Sequence, residues 1–142
     1  MKKLFLLLVT LLFITACSID EGERVKFHVE YVPVESVEMP EFFAPGETYQ
    51  IKVKYRNPTD CHYYDGLYYE KNGTTTTIAV QTIVIEDSNC LPMEDMDPLE
   101  AVFSFYCDPS TTTVGATYTF RFYNGDDANG RTYQEIEVPV VF

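Results

Sequence analysis

Side chains of opposite character alternate residue by residue along most of this chain. A period of two admits β-strands and little else. In TYTFRFYN, Tyr118, Phe120 and Phe122 take one side, Thr119 and Arg121 the other. ETYQIKVKYRN sets Tyr49, Ile51, Val53 and Tyr55 against Gln50, Lys52, Lys54 and Arg56. RVKFHVEYVPV places Val25, Phe27, Val29 and Tyr31 on one face and Lys26, His28 and Glu30 on the other. At the C-terminus Ile136, Val138, Val140 and Phe142 alternate with Glu135, Glu137 and Pro139. CHYYDGLYYE, TIAVQTIVIE and AVFSFYC are strand-like but less one-sided, and Gly66 marks a bulge or bend where the alternation slips. No stretch has a convincing helical period. Eleven Tyr and ten Phe, with abundant Thr and Val and no Trp, agree with strands.

These segments make seven strands, separated by the turn signals PEFFAPGE, RNPTD, KNG, DSNCLPMEDMDP, DPSTTTVG and NGDDANG. Many short strands at such spacing indicate an all-β sandwich. Pro33 and Pro139 lie in the first and last strands; proline donates nothing to a ladder, so both strands belong at sheet edges. The stretch Ala116-Thr117-Tyr118-Thr119-Phe120 resembles the tyrosine corner of immunoglobulin-like and fibronectin type III domains, with Phe120 where antibody domains carry Cys. Pro45-Gly46-Glu47-Thr48-Tyr49 and Arg56-Asn57-Pro58-Thr59 are similar to turns of bacterial immunoglobulin-like modules. The resemblance implies a single immunoglobulin-like antiparallel β-sandwich of about seven strands over residues 24–142.

The N-terminus carries an address. Lys2 and Lys3 precede an apolar run, Leu4 to Ile14, broken only by Thr10. As a helix that run spans about 16 Å, half the hydrocarbon core, which suits an export signal and not a membrane span. Ile14-Thr15-Ala16-Cys17 resembles a bacterial lipobox. The resemblance implies diacylglyceryl transfer to Cys17, cleavage after Ala16, acylation by palmitate-class chains and stable anchoring. Residues 1–16 are then the signal peptide and 17–23 a lipidated tether. Ser18 follows the cysteine, where Asp resembles an inner-membrane retention signal, and Asp20-Glu21-Gly22-Glu23 resembles the acidic leaders of surface lipoproteins of the Bacteroidota. The expected address is the outer membrane, with either leaflet open.

A formal net charge of −12, more negative once Lys2 and Lys3 are removed, argues against nucleic acid and anionic lipid as partners. With Cys17 on lipid, Cys61, Cys90 and Cys107 remain in a compartment where disulfides persist. If each strand crosses the sandwich once, connections alternate between two poles. Cys61 opens the third strand and Cys90 follows the fourth, at one pole; Cys107 ends the fifth, at the other. Cys61–Cys90 is therefore the expected disulfide and Cys107 a buried thiol, the alternative being three reduced cysteines. No C-x-x-C or H-x-x-x-H spacing suggests zinc, and adjacent Cys61 and His62 point to opposite faces of a strand.

The same arithmetic gathers acidic loops at the Cys61 pole: Asp60, then Asp87, Asp95 and Asp97 with Glu86 and Glu94, then Asp126 and Asp127 with Asn129. Such carboxylates are ordinarily solvated; brought together, they would suit Ca²⁺. The other pole holds Phe42 and Phe43 and two Thr-rich loops, which either plug the end of the sandwich or touch a protein or glycan partner. No G-x-S-x-G, H-E-x-x-H, P-loop or dinucleotide fingerprint is present, so an enzyme is not expected. Two readings follow. One is a lipid-anchored binding, adhesion or surface-complex module without a cofactor. The other is a structural accessory lipoprotein whose acidic pole binds Ca²⁺.

Overall fold

The computed structural model describes Gly22, residues 24–86 and residues 89–142; Cys17 and Asp87 lie outside the described residues. The described chain is all-β and folds as a two-sheet sandwich of eight strands. They are β1 (Phe27–Val32), β2 (Val34–Glu38), β3 (Thr48–Tyr55), β4 (His62–Asn72), β5 (Thr75–Ile85), β6 (Leu99–Tyr106), β7 (Thr117–Asp127) and β8 (Gly130–Pro139). Seven strands become eight because the first divides at Pro33. β1 pairs with β5 in the larger sheet, and β2 with β3 in the smaller. Proline has no N–H for either ladder, so the chain changes sheets there. The residues on either side, Val32 and Val34, are 1% and 4% exposed.

The smaller sheet has the order β2-β3-β6 and is antiparallel throughout. In the larger sheet β4 and β5 form a hairpin, and β7 and β8 form another. The free side of β5 is shared: β1 covers Val80–Ile85, and β7 pairs with Thr75–Ile78 in parallel. This corrects the expected all-antiparallel immunoglobulin arrangement. There the fourth strand would join the sheet of the first, second and fifth. Here its counterpart β5 lies between β4 and β7, and two strands separated by one return pass run the same way. β1 and β2, which flank Pro33, and β8, which contains Pro139, each pair with one strand only, in line with the edge positions expected from the prolines.

Turn chemistry sets the hairpins. Gly73 has φ of +64° at the first central position of the two-residue β4–β5 turn, which a type II′ turn demands of glycine. The register slips between Tyr64 and Gly66, where φ reaches +127°, so Gly66 does mark a bulge.

Connections alternate between poles as expected. At one pole the 56–61 and 89–98 segments are joined by backbone hydrogen bonds from Asp60 to Leu91 and from Met93 to Pro58. They are also joined by the Cys61–Cys90 disulfide, whose Cα atoms are 5.5 Å apart. At the other pole Phe43 is clamped from both sides: its N–H donates to Pro139 O, and its carbonyl accepts from Val141 N–H. Its ring is fully buried, 4.5 Å from Phe105 and 4.9 Å from Tyr49 between centroids. Phe43 is thus a core plug and not a partner contact. Only Phe42, 46% exposed and edge-on to Phe142, reaches solvent. Tyr118 closes the same end by a 2.6 Å hydrogen bond with the side-chain hydroxyl of Thr112, six residues upstream, where a tyrosine corner would bond a backbone group. Cys107 is a buried free thiol.

Two outcomes are expected. Phe43→Ala should cost about 3–5 kcal/mol in chemical denaturation, against less than about 0.5 kcal/mol for Phe42→Ala. Replacing Cys61 and Cys90 by Ala should cost about 3–4 kcal/mol by the loop-closure model, and Cys107 should take up iodoacetamide only after unfolding.

Candidate functional site at the disulfide pole

An apolar strand face ordinarily turns to the core, and β1 does the reverse. Strict alternation means that burying Val32 also turns Glu30 and His28 inward. Phe27 and Val29 then point out, 60% and 54% exposed. Register fixes their neighbours. His28 and His62 both lie opposite Val84, from the two sides of β5, and Glu30 lies opposite Thr82. The chain's two histidines therefore share one face of the sheet with a carboxylate beside them.

Their contacts form a chain. His62 Nε2 is 3.6 Å and His28 Nε2 3.5 Å from the same Glu30 oxygen. His28 Nδ1 is 3.4 Å from Glu86 Oε1, and His62 Nδ1 is 2.8 Å from Thr59 Oγ1. The His62 side chain is 6% exposed, those of His28 and Glu30 about half. His62 is held by its backbone: its carbonyl accepts from Asn57 Nδ2 at 2.9 Å, and its N–H donates to Thr59 O. Its Nε2 is buried without a hydrogen-bond partner. Glu30 is fixed in turn by Thr82, a fully buried residue whose hydroxyl donates to the Glu30 carbonyl. Sequence reading missed this cluster. The signal was there in His28-Val29-Glu30, an i,i+2 pair on one strand face, but nothing in the sequence brings His62 beside it.

Among the described residues, the acidic side chains of these loops have separate surroundings. The Asp60 carboxylate accepts a 2.7 Å hydrogen bond from Leu91 N–H and ties the two disulfide-linked loops together. Asp127 accepts one from Asn129 N–H and caps the β7–β8 turn. Asp95 and Asp97 are exposed. Asp126 stands by Arg131 and Tyr123, lining an open groove of about 350 Å³ between β1 and the β7–β8 hairpin. Among the described residues, only Asp60, Cys61 and Cys90 bring three ligand atoms within 4.8 Å of one another, and both sulfurs are spent in the disulfide.

The outer face of the larger sheet carries a run of exposed apolar side chains. Val29, Ile83 and Tyr63 form one row across β1, β5 and β4, and Phe27 and Ile85 the next. Further along, Arg131 stacks on Tyr31 at 5.1 Å and Arg121 on Tyr133 at 4.4 Å. At the opposite edge, inward-facing Tyr69 packs edge-on to Phe103. Burial, and then repulsion from Tyr64, pushes its hydroxyl up to about 12. No family model, curated protein or solved structure matches this chain.

The raised Tyr69 value has a definite sign. The folded state favours the neutral phenol, so the stabilisation is complete below the ordinary tyrosine value of 10.0 and is lost as pH rises toward 12. Thermal melting across that alkaline range should show this loss in the wild type and a smaller one in Tyr69→Phe. Equal losses would remove Tyr69 as its source.

Proposed function

We propose that this protein is a lipid-anchored binding module of a bacterial cell envelope, tethered through Cys17 and contacting a protein partner through the outer face of β1, β5 and β4. It performs no chemistry of its own and acts close to the outer membrane. The observation that carries the reading is the outward turn of Phe27, Val29 and Tyr63, which are 60%, 54% and 57% exposed in adjoining rows. A contiguous apolar face on a small, strongly acidic domain is characteristic of an interaction surface. Aliphatic and aromatic groups side by side suit the apolar centre of a protein interface, with charged groups at its rim. β1 is also an edge strand, so the same partner could extend the sheet by strand addition. The lipobox-like Ile14-Thr15-Ala16-Cys17 supports the tether, and the short segment between Cys17 and β1 keeps the domain near the bilayer.

Two measurements test this. Cys17→Ser should abolish labelling by radioactive palmitate and move the protein from the membrane to the soluble fraction; retention of label and membrane association would refute the anchor. A photo-crosslinking amino acid at Val29 should give one discrete adduct in cells, and the same probe at Glu137 none. Matching patterns at both positions would contradict a specific contact face.

A further inference from the structure

We propose that the partner of the apolar face adds one extended, lysine- or arginine-bearing strand to the free edge of β1, seated in the groove between β1 and the β7–β8 hairpin. The inference rests on the protein-partner reading above and specifies how that partner binds. Register shows that the edge is available. Glu86 N–H donates to the Lys26 carbonyl, in line with the His28–Val84 and Glu30–Thr82 pairs of the same ladder. Hydrogen-bonded pairs alternate in an antiparallel ladder, so His28, Glu30 and Val32 spend their N–H and C=O groups on β5. Those of Phe27, Val29 and Tyr31 point the other way, and among the described residues they meet no backbone partner.

Three features define what fits there. First, the space is bounded on both sides. β7 leaves β5 after Phe122, β1 takes the same side of β5 from Val80 onward, and the hairpin forms the far wall of the groove of about 350 Å³. A second folded copy would have to pass its own sheet through that hairpin, whereas a single extended segment does not. Second, the groove is acidic. Glu30 and Asp126 line it against Arg131 alone, and among the described residues neither carboxylate has a lysine or arginine in a salt bridge. Arg131 lies over the Tyr31 ring, 5.1 Å from its centroid. The formal net charge of −12 also draws a cationic segment from a distance. Third, the two rows beside the edge differ in character. Phe27 and Val29 present apolar side chains on the outer face, and Glu30 a carboxylate on the inner one. An added strand lays alternate residues along these rows, so it carries an apolar residue next to Val29 and a basic one next to Glu30. Main-chain hydrogen bonds supply its affinity and this alternation its selectivity.

Val29→Pro separates strand addition from docking on the face alone, because it keeps an apolar side chain, removes the edge N–H and breaks no bond to β5. With a photo-crosslinking amino acid at Tyr63, the wild-type background should give the partner adduct in cells, and Val29→Pro should reduce it about 10-fold. An adduct undiminished in Val29→Pro would overturn strand addition and uphold the face. No adduct in either background would overturn the contact face itself, and strand addition with it. An amide-to-ester exchange at residue 29 deletes the same N–H without a ring, so the test stands even if the proline variant misfolds. A capped hexapeptide of alternating valine and lysine, titrated into the ¹⁵N-labelled full chain in mild detergent, should shift the amides of Phe27, Val29 and Tyr31. It should bind the ester variant about 10-fold more weakly, and the matching valine–glutamate peptide should not bind. No shift at millimolar peptide, equal binding of both peptides, or shifts confined to the other free edge at β6 would overturn the proposal. A dimer of the free protein dispersed by Val29→Pro would also overturn it, by giving the edge to a second copy.

Discussion

The passage of the chain through Val32-Pro33-Val34 is the constraint on which the rest depends. Pro33 cannot donate to a ladder, so the first strand cannot continue in one sheet. It crosses instead, and a buried valine on each side anchors one half in each sheet. Pro33 rests over Gly125, where a Cβ would meet the proline ring at 3.8 Å and φ is +122°. The bulge at that glycine lets the β7–β8 hairpin pass beside the crossing. One strand thereby ties both layers of the sandwich together near its middle.

Because side chains alternate strictly, the crossing also decides what β1 shows to each side. Val32 is buried, so Glu30 and His28 point to its side of the sheet, half-exposed at the sandwich mouth, and Val29 and Phe27 point to the other. The polar cluster and the apolar surface described above are the two faces of this one strand. The inward face brings a carboxylate between the two histidines; the outward face leaves aliphatic and aromatic groups in water. The exposed groups cost stability that a partner would restore, and the inward polar groups are tolerated because they lie at the mouth of the sandwich, half-hydrated, with only His62 deeply enclosed.

Much of this was legible in the sequence. The strands, the bulge at Gly66, the edge positions of the proline-bearing strands and the Cys61–Cys90 pairing follow from period, turn chemistry and the alternation of poles, all of which are local or nearly so. Three features were not legible. Phe42 and Phe43 are identical side chains, and only long-range bonds to Pro139 and Val141 decide which one is buried. The placement of β5 between β4 and β7 depends on competition between sheet edges that no segment records by itself. The facing of β1 was hidden because two patterns overlap there: apolar residues at 25, 27, 29 and 31, then valines at 32 and 34 with the opposite parity. The valines win because they sit between the sheets, where burial from both sides is greatest. The convergence of His28 and His62 then follows from register, which is a tertiary property.

The facing of β1 can be measured directly in the purified protein through maleimide labelling of single cysteines placed at Val29 and Val32, with Cys107 buried and silent in the folded state. Cysteine at 29 should label in the native protein as fast as in an unfolded chain to within a small factor, and cysteine at 32 should label only once the protein unfolds. Protection at 29 together with labelling at 32 would contradict the account, because the apolar face would then be core and the histidines would no longer meet.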